Sequence, residues 1–457
     1  MKIIILGAGQ VGGTLAEHLT SEDNDITIVD SDVKILQAID EKLDVRAIVG
    51  HASHPSVLRR AGAEDADMLI AVTNNDETNM MACQISYSLF KTPIKIARVR
   101  SSEYMLYPRL FENRAIPIDV LISPEQLVTR YVKRLIEFPG ALQVLDFADG
   151  RVQCVALRAV SGAPLVGQAL RNLHIHMPSV KTNIAAIFRK DKLVEISDDT
   201  VIEPNDEVFF ICESNEIREV ISELRGATAP YKRIMIAGGG NIGFSLAQTL
   251  EKNYHVKIID RGQARCRTLA EQLNKSVVLC GDCSDKNLLY NENIEETDVF
   301  CALTNDDETN IMSATLAKRM GARKVMALIN RTAYVDLIEG SEIDIAISPQ
   351  QSTISSLLTH IRRGDIVQVH SLRRGAAEAI EAVAHGTLET SKVVGRTIET
   401  LPLPPGTVIS MIVREDRVIA AEPSTRIEAD DHVILFVSNK KYIGDVERLF
   451  QVAINFF

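Results

Sequence analysis

Short apolar runs recur along the chain between stretches of helical periodicity, and the first of them sets the pattern. Lys2-Ile-Ile-Ile-Leu6 has the β-branched richness of a strand covered on both faces. It passes directly into Gly7-Ala8-Gly9-Gln10-Val11-Gly12 and then into the helical segment Leu15-Ala-Glu-His-Leu19. Asp25-Ile-Thr-Ile-Val-Asp30 predicts a second strand, Ala47-Ile-Val-Gly50 a third and Met68-Leu-Ile-Ala-Val72 a fourth. Between the last two, Val57 to Gly62 reads as a brief helix closed by glycine. Thr73-Asn74-Asn75-Asp76 is a polar turn capping a helix from Glu77 to about Phe90. Ile94 to Val99 and Val120 to Ile122 complete six strands, and Glu125 to about Glu137 continues as a connecting helix. Strands alternating with helices predict a doubly wound parallel sheet whose ligand lies above the carboxyl ends of strands one, two and four.

After Phe138-Pro139-Gly140 the pattern becomes short and alternating. Gln153 to Leu157, Ala185 to Phe188 and Glu207 to Ile211 read as strands, and Asn215 to Leu224 as a closing helix. Gly226-Ala-Thr-Ala-Pro230 reads as a linker, after which the opening stretch returns as Arg233-Ile-Met-Ile-Ala-Gly238-Gly239-Gly240-Asn241-Ile242-Gly243. The echo extends beyond glycines. Asp260 ends its strand as Asp30 does, Thr304-Asn305-Asp-Asp-Glu-Thr-Asn310 repeats Thr73-Asn74-Asn-Asp-Glu-Thr-Asn79, and Ile343 to Pro349 repeats Ile118 to Pro124. An acidic turn also precedes a late strand in both small domains, at Asp206-Glu-Val208 and Asp431-His-Val433. The chain is thus an α/β protein built by duplication. Two doubly wound parallel-sheet (Rossmann-type) domains, 1–138 and 231–363, are each followed by a small α+β domain, 139–226 and 364–457.

The glycines carry the candidate chemistry. Gly7, Gly9 and Gly12 have G-x-G-x-x-G spacing within a strand-turn-helix unit, and Gly238, Gly240 and Gly243 repeat it. In that context the first glycine makes the turn, the second lets a pyrophosphate approach the backbone, and the third lets helix and strand pack closely. The helix N-terminus supplies N–H groups and partial positive charge. Asp30 lies 18 residues past Gly12, near the interval of about 20 at which an acidic side chain meets a ribose. Asp260 takes the same place in the second half. Both acids favour NAD or ADP-type ligands over NADP, although Arg261 weakens that preference in the second half. Thr73, Asn74, Thr304 and Asn305 end the fourth strands, either facing the nucleotide or acting as helix caps. Arg98 and Arg100, two apart on strand five, would share a face and could meet phosphates or a carboxylate in a subunit interface. If Tyr104 and Tyr334 are matched, the second half has Leu328 and Asn330 there, so the halves should bind nucleotide differently. Asp282 ends the third strand of the second half, where it can reach an adenine amine. His51, in the same place, either contacts adenine or is a solvent-exposed turn residue.

Composition narrows the classes. The 457 residues carry 50 basic against 61 acidic side chains, a formal −11 that argues against a nucleic-acid binder relying on phosphate neutralisation. No apolar run approaches the roughly 20 residues of a bilayer-spanning helix, and the start leads straight into a strand, so a cytoplasmic protein is expected. Seven scattered cysteines suit reduced thiols. Cys280-Gly-Asp-Cys283 has the form of a metal or redox pair, but neither cysteine has a counterpart in the first half. His174 and His176 would lie on one face of a strand without further metal ligands. No metal site and no acid/base cluster of a dehydrogenase is expected, and a duplicated nucleotide sensor fits better than an enzyme. A soluble NAD-dependent oxidoreductase with duplicated domains is the alternative, and a sensor of ADP or ATP alone is a third reading.

The two glycine turns with Asp30 and Asp260, the two Thr-Asn-x-Asp-Glu-Thr-Asn segments and the tandem small domains together resemble the regulatory subunits of Trk-type potassium uptake. These carry two RCK units (regulators of potassium conductance) per chain, and the resemblance covers essentially the whole sequence. It implies a cytosolic subunit, peripheral on the cytoplasmic face of the inner membrane, forming a homotetramer under a membrane potassium transporter subunit of the Trk type. It also implies binding of NAD(H) and of ADP or ATP, with nucleotide state altering ring shape and gating. Carried over, the family's site falls on Gly7, Ala8, Gly9, Gln10, Val11, Asp30, Thr73, Asn74 and Arg98, and on Gly238, Gly239, Gly240, Asn241, Ile242, Asp260, Thr304 and Asn305.

Overall fold

A computed structural model describes residues 1–20, 24–112, 114–178, 180–190, 192–338, 341–361, 365–372 and 377–452. The chain forms two compact units, Met1–Val128 with Pro349–His360, and Thr129–Ser348 with Ile361–Phe457. The expected limits at 363, 364 and 457 fall outside the described residues.

In the first unit, six strands follow the expected alternation: β1 (Lys2–Leu6), β2 (Asp25–Asp30), β3 (Arg46–Val49), β4 (Met68–Ala71), β5 (Ile94–Arg98) and β6 (Val120–Ile122). They form one sheet in the order β3-β2-β1-β4-β5-β6, parallel throughout. This is the doubly wound order, with its switch point between β1 and β4. β4 is buried along its whole length and β1 at all but Lys2, which is why both read as continuous apolar runs. The helices are α1 (Gln10–Thr20), α2 (Val33–Asp40), α3 (Pro55–Arg60), α4 (Asp76–Ile85), α5 (Ser102–Met105) and α6 (Pro124–Glu137). Residues 349–360, from the helix Pro349–Ile361, pack with this unit, a long-range placement that no local pattern announces.

The second unit holds a second parallel six-stranded sheet and two antiparallel sheets. Strands β7 (Ala141–Phe147), β8 (Val152–Arg158), β9 (Thr182–Arg189), β10 (Lys192–Leu193) and β11 (Glu207–Glu213) form one antiparallel sheet in the order β10-β9-β11-β8-β7. Strands β12 (Arg233–Ala237), β13 (His255–Asp260), β14 (Val277–Cys280), β15 (Val299–Ala302), β16 (Lys324–Leu328) and β17 (Ile345–Ile347) repeat the parallel order. β18 (Ile366–Leu372), β19 (Ala377–Ala384), β20 (Thr407–Arg414), β21 (Arg417–Ala420) and β22 (Asp431–Val437) form the second antiparallel sheet.

The small domains differ from the alternating pattern expected of them. β8, β11 and β19 are buried almost without interruption, because the two antiparallel sheets share one core. Phe147, Phe209 and Ile211 pack in the same cluster as Met411, Ile434 and Phe436. Polar ties cross it: Glu381 accepts from the Ala148 N–H at 2.8 Å, and Asn183 Nδ2 donates to the Ser410 carbonyl at 2.7 Å. The acidic turns are explained by a repeated clasp. Arg189 donates to both carboxylate oxygens of Asp206, at 2.9 and 2.8 Å, and Arg414 does the same to Asp431, at 2.8 and 2.9 Å.

Candidate functional site

The three glycines of the first turn stand in different surroundings. Gly7 has φ +100°, and a Cβ there would stand 2.9 Å from the Thr73 backbone. At Gly12 a Cβ would come within 1.8 Å of the Gly7 carbonyl oxygen, so α1 rests directly on the turn. At Gly9 a Cβ would meet nothing within 4 Å. No neighbouring atom of the chain demands a glycine at that position, which borders open space at the N-terminus of α1. The second half repeats all three conditions. Gly238 has φ +106°, Gly243 would clash with the Gly238 carbonyl oxygen at 1.9 Å, and Gly240 meets nothing. Gly240 is the N-cap of the helix Asn241–Leu250, whose first N–H groups receive no side-chain cap. Such ends leave backbone donors available to an anion.

The aspartates buttress these turns. Asp30 accepts from the Ala8 N–H at 2.6 Å through one carboxylate oxygen and from the Asp32 N–H at 2.9 Å through the other. Asp260 accepts from the Gly239 and Gly262 N–H groups, both at 2.8 Å. Each oxygen keeps a second lone pair for another donor.

At the end of β4, the residues that fix the loop are ones the sequence did not single out. Asn79 is fully buried. Its Oδ1 accepts from the Thr73 N–H at 3.0 Å and the Thr73 hydroxyl at 2.7 Å, while its Nδ2 donates to the Thr73 and Arg98 carbonyls at 3.1 and 2.9 Å. Asn310 makes the same four bonds to Thr304 and Leu328. The last Asn of the repeated Thr-Asn-x-Asp-Glu-Thr-Asn segment was the available signal. Neither Thr73 nor Asn74 caps α4; Asn75 does, accepting from the Thr78 N–H at 2.6 Å, and Asp306 is its counterpart. Asn74 is exposed.

Arg98 is partly buried beside this loop. Its Nη2 donates to the Thr73 carbonyl at 2.6 Å, and its Nε is buried without a hydrogen-bond partner. Burial, then the neighbouring Arg100, pulls its pKa below the usual arginine value. Arg100 departs from expectation. β5 ends at Arg98, and the Arg100 Nε instead donates to Glu125 at 2.9 Å. Tyr104 and Tyr334 are indeed matched, each donating at 2.9 Å to a glutamate, Glu77 and Glu308 respectively. Leu328, which is buried, therefore stands where Arg98 does. The second half places a different cation nearby: Arg265 Nε donates to the Gly239 carbonyl at 2.6 Å.

Asp282 is exposed and closes its own turn, accepting from the Ser284 N–H at 2.7 Å. The His51 Nδ1 takes the equivalent part, accepting from the Ser53 N–H at 3.4 Å. The expected strand at His174 and His176 is a short helix, Leu173–His176, in which the His176 Nδ1 lies 3.3 Å from Glu223; the His174 side chain lies outside the described residues. All seven cysteines are free thiols, with Cys280 exposed and Cys283 buried. Among the described residues no group of three or more His, Cys, Asp or Glu side chains could hold a metal ion. No helix among them is long and apolar enough to cross a membrane.

Two doubly wound domains, each with an open glycine turn and a companion antiparallel domain, define a protein of two tandem Rossmann-type units. The chain is similar to the GsuK RCK domain, with a TM-score of 0.61 and 21% identity over 98% of this chain and 94% of that one. It is also similar to the GsuK channel bound to NAD, with a TM-score of 0.61 and 20% identity over 98% of this chain and 78% of that one. At such identity the likeness is one of fold. Residues 3–124 and 234–349 match the TrkA-N domain, and residues 154–225 and 387–451 the TrkA-C domain. The Trk system potassium uptake protein TrkA of Vibrio alginolyticus is 61% identical over 452 residues, which cover 99% of each chain. The chain belongs to the TrkA family of Trk-system potassium uptake proteins.

Proposed function

We propose that this chain is a cytoplasmic regulatory subunit that binds NAD(H), and ADP or ATP, at its two glycine turns and passes the nucleotide state to a membrane potassium transporter of the Trk type. The observation that carries the reading is the open space beside Gly9 and Gly240. There a diphosphate would meet first-turn backbone donors, which have no side-chain cap at Gly240, while Asp30 and Asp260 offer lone pairs to ribose hydroxyls. The unpartnered Arg98 Nε would meet phosphate in the first half; Thr73, Asn74, Thr304 and Asn305 flank the ligand, and Asp282 faces its adenine. Membership in the TrkA family supports the transport role. The domain limits 1–138, 139–226, 231–363 and 364–457 belong to the same reading.

The subunit acts by binding and not by catalysis. It assembles as a homotetramer, peripheral on the cytoplasmic face of the membrane. Exposed apolar side chains at repeated positions, Met81 with Met312 and Tyr107 with Leu337, support self-assembly. A nucleotide drives such an assembly only by binding two of its states unequally. Calorimetry of the full chain with NADH, ADP and ATP tests this. Asp30→Ala is expected to weaken binding at the first site by about tenfold or more, through loss of charge-assisted hydrogen bonds, and Asp260→Ala at the second. Unchanged affinity in either variant removes that half's assignment. Oxidation of NADH with turnover on small carbonyl substrates would favour the oxidoreductase instead.

A further inference from the structure

We infer that Gln350 is a positioning residue of the first nucleotide site, supplied from a helix 340 residues away in sequence; the inference rests on the nucleotide reading of that site. Gln350 is the second residue of the helix Pro349–Ile361 and is 8% exposed. Its amide Nε2 donates to the Gln10 carbonyl at 3.0 Å and to the Thr14 hydroxyl at 2.6 Å. Gln10 and Thr14 lie one turn apart at the start of α1, so the amide clamps the helix end that opens onto Gly9.

The clamp bears on the ligand through one peptide plane. The Gln10 carbonyl and the Val11 N–H belong to the same planar trans peptide and point in opposite directions. Val11 is the second residue of α1, and its N–H is among the first-turn donors without an intrahelical acceptor. A carbonyl held by Gln350 therefore aims the Val11 N–H at the turn, where an anion would sit. Donors fixed before the ligand arrives bind more tightly than donors that must be ordered by it.

The duplication shows that this clamp is not a general feature of the fold. Ser348-Pro349-Gln350 repeats Ser123-Pro124-Glu125. Glu125, equally buried, accepts from the Arg100 Nε at 2.9 Å, whereas Gln350 donates. A carboxylate cannot donate to the Gln10 carbonyl. Gln350→Glu would also place a negative charge beside the site of a diphosphate.

The test uses the full chain, with calorimetry for ADP, NADH and adenosine and thermal melting of the nucleotide-free protein. Gly9→Ala serves as the reference variant that closes the first site. Gln350→Ala is expected to weaken ADP and NADH at the first site about fivefold to tenfold, and Gln350→Glu to weaken them further. Adenosine, which lacks phosphates, should bind both variants as it binds the wild type. A general disturbance of the helix would weaken adenosine equally, and that result overturns the assignment. So does unchanged ADP affinity in both Gln350 variants while Gly9→Ala loses a site, an outcome that leaves the nucleotide reading standing. Wild-type stoichiometry and affinity in Gly9→Ala would remove the first-site reading and the role of Gln350 with it.

Discussion

Gly9 and Gly12 are three residues apart, yet alanine at each should do opposite things. At Gly12 the new Cβ would lie 1.8 Å from the Gly7 carbonyl oxygen and 3.0 Å from its carbon. These are backbone atoms, so strand and helix must separate, and overpacking of that severity destabilises by about 3 kcal/mol or more. At Gly9 a Cβ meets nothing within 4 Å and φ is outside the left-handed region. Two small effects remain there. Alanine restricts the unfolded chain, which stabilises by about 0.4–1 kcal/mol. Gly9 also immediately precedes α1, where alanine is a poorer N-cap than glycine by a similar amount. The nucleotide-free protein should therefore change by less than about 1 kcal/mol, or about 2–4 °C in a domain of this size.

Ligand binding should reverse the ranking of harm. In the proposed site, a methyl group at Gly9 would occupy the path by which a diphosphate reaches the backbone donors. Losing two charge-assisted hydrogen bonds at about 1.5–3 kcal/mol each corresponds to roughly two to four orders of magnitude in affinity. Thermal melts of the nucleotide-free chain, followed by NADH calorimetry, separate the two variants. Gly9→Ala should melt like wild type and lose one site, and Gly12→Ala should melt early. Gly240→Ala and Gly243→Ala should repeat the contrast in the second half. A Gly9→Ala protein that binds NADH with wild-type affinity and stoichiometry, or that melts as early as Gly12→Ala, refutes the reasoning.

Two further predictions concern pH. Glu251 is 5% exposed, and its carboxylate accepts from the N–H groups of Asn274, Lys275 and Ser276 and from the Ser276 hydroxyl. Burial would raise its pKa, but these donors outweigh it and bring the pKa from 4.5 down to about 2. Its contribution is therefore full above pH 4.5 and fades as pH falls towards 2. Glu251→Gln should cost about 2–3 kcal/mol at neutral pH, a gap that closes on acidification, as read from urea titrations at several pH values. Lys324 shows the opposite sign. Burial, opposed by Asp344, lowers its pKa from 10.5 to about 8, and its Nζ donates to the Ala141 carbonyl at 2.9 Å. Between those values the unfolded chain holds the proton and the folded one does not, so stability rises with pH. Wild type should accordingly gain on Lys324→Met in melting temperature as pH rises from about 7.5 to about 9.5; a gap independent of pH would show that Lys324 does not titrate there.

What could be read directly from the chain was whatever is decided locally. β1 and β4 were legible because strands covered on both faces need uninterrupted apolar runs. The turns were legible because only glycine tolerates the φ of +100° at Gly7 and the close contact at Gly12. The duplication was legible because both requirements recur. Long-range partnerships were not. Asn79 resembles any polar residue of a surface helix until its four hydrogen bonds to the Thr73 loop and the Arg98 carbonyl are seen. The shared core of the two antiparallel sheets brings together residues more than 160 positions apart, so the expected alternation of buried and exposed positions failed there. Arg100 was misplaced for a related reason. Its position two residues after Arg98 suggested a shared strand face, but β5 ends at Arg98 and Glu125 draws the side chain away.

The two halves share the residues that build the turns and differ at a few side chains around them. Residues that set backbone geometry are repeated: the glycines at 7, 9, 12 and 238, 240, 243, the buttressing Asp30 and Asp260, the braces Asn79 and Asn310, and the tyrosine–glutamate pairs. Three other positions near the turns are not repeated. Arg98 faces Leu328 across the repeat, His51 faces Asp282, and Arg265 has an exposed Ile35 as its counterpart. A duplicated coenzyme-binding scaffold used twice for one chemistry would be expected to keep its ligand-facing cations in place. Here the cation near the first turn comes from the end of β5, and the one near the second comes from the helix Gln263–Gln272. Negative charge is therefore favoured at different points around the two turns.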